Sequence, residues 1–328
     1  MEPLFERLGV KYPMIQGGMA WVAEAHLVAA VSAAGGLGII GAGHAPADYV
    51  RTQIRAVKAQ TDRPFGVNVM LLSPFVEDII QVIEEEHVAV VTTGAGNPAR
   101  YVSRLRAAGS IILPVVPSVG LARKMARAGV DGVVAEGMES GGHIGSLTTM
   151  ALVPQVVDAV DIPVIAAGGI GDGRGVAVAL ALGAAGVQMG TRFLSASETQ
   201  IHPEYKAAVL KAKDVDTLVT GLYVGHAARV LKNPMSRNYL KLEKQIALSG
   251  SEDYAAVEEL GNGALRRAVQ EGDRNTGSFM AGQIAGMVRE QQTAAEIIAE
   301  VAQEVQALIA GSVLAQRFAP AEVDECAQ

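Results

Sequence analysis

The chain has 328 residues, is half apolar and carries a formal net charge of −7. It can therefore fill a large core, and its acidic balance argues against nonspecific nucleic-acid binding, which needs a basic face. The lone cysteine, Cys326, excludes an intramolecular disulfide framework; with no signal-like segment and no uninterrupted apolar run of spanning length, a cytoplasmic protein without membrane contact is expected.

Short apolar runs recur along the chain, each closed by Gly, Pro, Ser or Asn and followed by a segment of helical character. In chain order, strands are expected at Pro13–Gln16, Gly38–Gly41, Phe65–Val69, Val88–Thr92, Ile111–Val115, Gly132–Ala135, Pro163–Ala167 and Gly186–Gly190. Helices are expected at Ala23–Ala34, Ala47–Gln60, Phe75–Glu86, Ala99–Ala108, Gly120–Ala128, Thr149–Val160 and Gly173–Leu182. Eight such alternations predict an α/β fold of the closed TIM (β/α)8 barrel type, with functional groups on the loops after the strands. An open doubly wound sheet is the alternative. Past strand eight the pattern changes: polar helical stretches at Glu204–Lys213, Ala227–Leu231 and Asp253–Leu260 show no strand-like alternation. A helical insertion over residues 196–275 is therefore expected after strand eight, as a lid on the substrate side, with residues 1–195 and 276–328 forming the barrel. A final helix is expected near Ala294–Ala310.

The stretch from Glu136 to Gly145 sets His143 among Gly137, Gly141, Gly142 and Gly145, directly after the apolar run Gly132–Ala135. Glycines let the backbone approach a ligand closely, so the pattern reads as a strand end opening into a loop that holds an imidazole over something bound. His143 is the candidate acid or base; a loop histidine bonded only to its neighbours is the alternative. Glycine turns at Gly168-Gly169 and at Gln188-Met189-Gly190-Thr191 follow strands seven and eight, where barrels commonly bind phosphate through backbone N–H groups. Gly17, Gly18 and Met19 on the first loop, Asn68 at the end of strand three and Thr93 after strand four add small or hydrogen-bonding contacts suited to a flat polar ring. Asn68 and Met19 also admit a purely structural reading. Glu136 and Glu139 are placed to orient the imidazole or to contact a ribityl or ribose chain. The six histidines show no metal-ligand spacing, and no GxSxG elbow is present, so metal-dependent and serine hydrolysis are both disfavoured.

Taken together, Gln16-Gly17-Gly18-Met19-Ala20-Trp21, Asn68 to Phe75, Thr92 to Pro98, Ala135 to His143 and Ala166 to Ile170 resemble the flavin-dependent enoyl-acyl-carrier-protein reductase II (FabK-type) enzymes. Their wider relatives are the nitronate monooxygenases, formerly called 2-nitropropane dioxygenases. The likeness extends to Gly225-His226-Ala227-Ala228-Arg229 and to Met280 through Gly286. It implies FMN at the barrel mouth, with its phosphate on the turns at Gly168, Gly169, Gly190 and Thr191. Around the cofactor it implies Met19, Asn68, Glu136, Gly141, Met280 and Gln283, with His143 as the active-site histidine; Gly17, Gly18, Thr93, Gly142 and Gln188 are further candidate contacts from the loop reading. The implied reaction is reduction of a trans-2-enoyl thioester, carried by acyl carrier protein or coenzyme A, at the expense of NADH or NADPH, in fatty-acid biosynthesis. A monovalent cation such as potassium or ammonium and a homodimeric assembly are compatible with it. The other branch implies oxidation of alkyl nitronates with FMN and oxygen, His143 acting as base, and a non-flavin phosphate-binding barrel is the third reading. Arg229, Lys232, Arg237 and Lys241, in a stretch without acids, form a candidate basic surface for an acidic carrier or for nucleotide phosphates.

Overall fold

The structure, a computed structural model, describes residues 3–251 and 253–311, so Cys326 lies outside the described residues. Runs rich in Val and Ile form the strands β1 (Met14–Gln16), β2 (Leu37–Gly41), β3 (Phe65–Met70), β4 (Val90–Gly94), β5 (Ile111–Val116) and β6 (Val133–Glu136). After the two-residue β7 (Gly142–His143) come β8 (Val164–Ala167) and β9 (Gly186–Met189). All except β7 close into one parallel barrel in the order β1-β2-β3-β4-β5-β6-β8-β9. Pairing of Met14 with Val187 and of Gln16 with Met189 completes the ring, which rules out the open-sheet alternative.

Two apolar layers hold the barrel, and strand alternation assigns residues to each. Ile15, Leu37, Ile39, Val90, Leu113, Val134 and Ile165 fill the interior together with Leu4 and Phe5. Phe5 comes from the short helix Leu4–Arg7 and packs where Gly186 leaves no room for a side chain, closing the end of the barrel opposite the mouth. Val67, Val91, Ile112, Val133 and Val187 face outward onto helical residues such as Val28, Ile54, Ile79, Leu105 and Leu152. The last helix, Ala294–Gly311, packs between helices Gly173–Ala181 and Ala25–Ala33 and buries Ile297, Ile298 and Val301 there. Among the described residues no helix is long and apolar enough to cross a membrane.

The segment after β9 departs from expectation. It holds helices Pro203–Leu210 and Ala255–Gly261, but also two strands, β10 (Thr217–Thr220) and β11 (Ala228–Leu231). The stretch expected as helix at Ala227–Leu231 is thus largely strand. Its Ala-Ala-Arg start favours helix locally, but antiparallel pairing with β10 and burial of Val230 and Leu231 prevail. β11 pairs on its other side with β7, so the three form a small antiparallel sheet beside the mouth. The sixteen-residue helix Pro234–Ser249 was not among the expected elements. Its start is marked in the sequence: Asn233 and Ser236 form a reciprocal capping box and Pro234 occupies the first turn.

Candidate functional site

At the mouth, alternation decides which side chains point in. Val90 belongs to the interior layer and Val91 to the outer one, so Thr92 faces the barrel interior and Thr93 the helices. The expected contact Thr93 therefore points away from the mouth, and its hydroxyl is buried without a hydrogen-bond partner. Thr92, which the sequence reading missed, donates instead to Asn68 Oδ1 at 2.9 Å. The loop after β1 lies across the same floor. A Cβ on Gly17 would stand 3.0 Å from Cδ of Gln188, one on Gly18 would collide with Asn68, and Met19 Sδ lies 3.5 Å from the Cβ position of Gly190. Trp21 and Ala95, on the loops after β1 and β4, both adopt positive φ, a strained conformation for residues with a side chain.

Glu136 ends β6 on the inward face, level with Ala167 of β8. Part of the residue opens to the mouth, yet protein surrounds the carboxyl closely enough that desolvation pushes its pKa up to about 7, opposed by the nearby Ser140 hydroxyl. Ser140 Oγ is itself buried without a hydrogen bond of full geometry. Asn68, Glu136 and Gln188 give the floor an amide, a carboxyl and a second amide, and the buried Thr92 hydroxyl fixes Asn68 from beneath. Such edges suit a flat heterocycle with hydrogen-bonding groups at its rim.

The two glycine turns stand side by side at the ends of the paired strands β8 and β9. Gly168 and Gly169 have φ of +93° and +71°, and a Cβ on Gly168 would lie 2.7 Å from the Gly137 carbonyl oxygen, so neither backbone shape nor space admits another residue cheaply. Around Gly190 the situation is opposite: a Cβ there meets only Met19, leaving open space beside the backbone. Among the described residues no protein group accepts the amide hydrogens of Gly169, Gly190 or Thr191. Unclaimed N–H groups flanking open space are the kind of cradle that can receive an anion such as a terminal phosphate.

A second set of contacts ties distant segments to these turns. Both oxygens of Glu139 accept from the Thr149 N–H, at 2.9 and 3.0 Å, which caps helix Thr149–Val157 and removes Glu139 from the groups available to His143 or to a ribityl chain. The Glu139 carbonyl accepts from Gln283 N–H at 2.9 Å, and Thr191 Oγ1 accepts from Gly282 N–H at 2.8 Å. A Cβ on Gly141 would lie 2.7 Å from the Ala281 backbone, while one on Gly142 would lie 3.6 Å from Met280 Sδ. Tyr205 holds the Met280 carbonyl through a 2.6 Å hydrogen bond. Gly141, Gly142, Met280 and Gln283 thus meet at one place although more than a hundred residues separate them in the chain.

His143 stands on β7, directly opposite Ala228 of β11. It keeps solvent access toward the mouth, but desolvation on its protein side, followed by the proximity of His226 and His44, holds its pKa below the ordinary histidine value. Three imidazoles therefore share this wall, and among the described residues no group of three or more His, Cys, Asp or Glu side chains is arranged to hold a metal. Arg229, expected on a basic surface, is 5% exposed; its Nε donates to the Met138 carbonyl at 3.0 Å and its Nη1 to Thr217 Oγ1 at 3.2 Å. It braces the histidine loop from inside. Lys232 Nζ is engaged by the Val215 carbonyl, which leaves Arg237 and Lys241 as the exposed cations of that stretch.

A family model described as nitronate monooxygenase matches residues 1–86 and 75–304. The structure of FabK from Thermotoga maritima superposes with a TM-score of 0.89 at 48% sequence identity, covering 94% of this chain and 97% of that one. A Mycobacterium tuberculosis protein described as a hydroxy-methyl-oxo-octahydro-indene-carboxyl-CoA dehydrogenase is 38% identical over 84% of this chain and 73% of its own. A Staphylococcus aureus protein described as a probable nitronate monooxygenase is 34% identical over 85% of this chain and 90% of its own.

Proposed function

The chain belongs to the nitronate monooxygenase family, and within that family we propose that it is an FMN-dependent reductase that uses NADH or NADPH to saturate the double bond of a trans-2-enoyl thioester. The observation that carries this reading is the 48% identity to FabK along nearly the whole chain, against 34% to the nitronate monooxygenase relative. The coenzyme A thioester in the name of the Mycobacterium relative supports a thioester substrate. In this reading the acyl group arrives on acyl carrier protein or coenzyme A.

The residues present fit FMN. The N–H groups of Gly169, Gly190 and Thr191 would hold its phosphate, Asn68, oriented by the buried Thr92, would meet the polar edges of the ring with Glu136 and Gln188, and Met19 and Met280 would supply apolar contact. When bound there, FMN supplies hydride chemistry between the nicotinamide and the β-carbon of the thioester. The protein orients and protonates. His143 donates from its imidazole to the α-carbon, and its lowered pKa makes the protonated ring a stronger acid although a scarcer one at neutral pH. Glu136, near half-protonated at neutral pH, can present either a donor or an acceptor to the ring edge.

One observation favours nitroalkane oxidation, by way of the nitronate, as a second reading: a His143 held below its ordinary pKa rests neutral at pH 7 and so is ready to remove the proton from a C–H beside a nitro group, leaving the nitronate for the flavin to oxidise. Anaerobic flavin reduction separates the two. Bleaching by NADH or NADPH, followed by recovery of the flavin band on adding crotonyl-CoA, is the expected result. Bleaching by nitroethane, with neither nicotinamide effective, would replace the proposal with the second reading.

A further inference from the structure

Glu243 lies on helix Pro234–Ser249, away from the floor and the glycine turns, and is 0% exposed. Burying a carboxylate is costly unless its oxygens are bonded, so such a residue asks for a partner. One oxygen, Oε2, accepts the Tyr223 N–H at 3.5 Å, the Gly221 amide lies near enough to favour the charged carboxyl, and Oε1 has no partner. Burial raises its pKa, while the two amides and Lys244 oppose that rise; Tyr239 and Glu258 are the other titratable groups of this corner.

Both amides belong to the turn between β10 and β11. That turn is tight: His226 N–H donates to the Gly221 carbonyl at 3.0 Å, and Gly221 has φ of +76° with the His226 carbonyl pressed where a Cβ would stand. The turn then feeds β11, whose Ala228 pairs with His143, and the ladder continues through Ile144 N–H to the Ala227 carbonyl at 3.0 Å. His226 precedes Ala228 by two residues at the end of the turn, near enough to His143 for its charge to be felt there.

We propose that Glu243 is a positioning residue: from inside the segment after β9, its carboxyl clamps the β10–β11 turn and so sets where His226 and, through β11, His143 stand over the mouth. An apolar residue of similar size would fill the same space, but only an acceptor holds the Tyr223 amide and attracts the Gly221 amide beside it. The flavin floor lies on the barrel strands and does not depend on this clamp. Its kinetic consequence rests on the reductase reading, whereas the clamp itself does not.

The test uses the full-length, flavin-loaded protein with Glu243→Ala and Glu243→Gln, read by amide hydrogen exchange and stopped-flow. In Glu243→Ala the Gly221–Tyr223 amides should exchange at least about tenfold faster, flavin content should match wild type, and reoxidation by crotonyl-CoA should slow by about ten- to a hundredfold with KM rising more than flavin reduction changes. Glu243→Gln, which keeps an acceptor and the volume, should recover most of both. Should the alanine variant not fold, Glu243→Met carries the same expectation. Unchanged exchange at Gly221–Tyr223 would overturn the proposal, as would a Gln variant no better than Ala, or loss of flavin and melting temperature in parallel. If wild type shows no turnover of crotonyl-CoA while the amides still loosen in Glu243→Ala, the reductase reading fails and the clamp stands.

Discussion

The anion cradle stands on β8 and β9, each hydrogen-bonded to a barrel strand on either side, whereas His143 stands on β7, a two-residue strand at the edge of a three-stranded sheet. On the cradle side, Gly168 and Gly169 are fixed by register around a closed ring. On the histidine side, position depends on β11, on the Arg229 bond to the Met138 carbonyl and on the turn before Ala228. A ring cannot lose one strand without losing its closure, while an edge strand can shift without disturbing the ring. Cofactor retention and proton transfer should therefore respond to different substitutions.

The largest expected effect breaks only the histidine side. His143→Ala should slow flavin reoxidation by crotonyl-CoA by about 10²–10⁴-fold, the range of general acid catalysis, while flavin reduction by nicotinamide changes far less and FMN content stays full. Stopped-flow absorbance of the two half-reactions measures this, and equal slowing of both would mean that His143 only positions ligands. Next, Gly190→Val strikes the cradle. Its side chain enters space in which the protein itself offers only Met19, so the apoprotein should keep its stability within about 0.5 kcal/mol yet retain little FMN. Full flavin occupancy after purification would place the phosphate elsewhere.

Glu136→Gln sharpens the comparison on the barrel floor. A carboxyl whose folded pKa is raised from 4.5 to about 7 favours the folded state most fully below the unfolded value, and that contribution is lost as pH rises through about 7. Relative to wild type, apo Glu136→Gln should therefore gain up to about 3 kcal/mol between pH 4.5 and 8, read by urea denaturation. A pH-independent difference would show that the carboxyl is not desolvated. The smallest effect is expected at Asp172, which caps helix Gly173–Ala181 by accepting the N–H groups of Arg174 and Gly175. Burial pushes its pKa up, but those donors and the Arg174 guanidinium outweigh it and hold the carboxyl below the ordinary value. Asp172→Ala should cost about 1 kcal/mol, a loss present above the ordinary aspartate pKa and fading only below it, with FMN content unchanged.

The barrel was legible because its strands are near-continuous apolar runs and its turns are punctuated by glycine, signals carried by a few adjacent residues. Gly168-Gly169 and Gly190-Thr191 were readable as turns at neighbouring strand ends for the same reason. Thr92 and Thr93 could not be told apart, since a one-residue change of register exchanges the two faces and only the closed ring fixes it. β7 has no period to read, being two residues inside a glycine-rich loop. β11 was misread because Ala227-Ala228-Arg229 favours helix until β10 and β7 flank it. Arg229 looked like surface charge because sequence shows its sign and not its partners, which lie on the Met138 carbonyl and Thr217.

The placement of the final helix bears on the order in which the protein can mature. All eight barrel strands have been synthesised by Met189, but the helix that covers the gap between Gly173–Ala181 and Ala25–Ala33 begins only at Ala294. Until it emerges from the ribosome, the surface that receives Ile297, Ile298 and Val301 stays wet, and Gly173 lacks the Glu304 carboxylate that accepts its N–H at 2.6 Å. A nascent chain halted between these points would hold every strand of the ring and leave the apolar seam between those two helices uncovered.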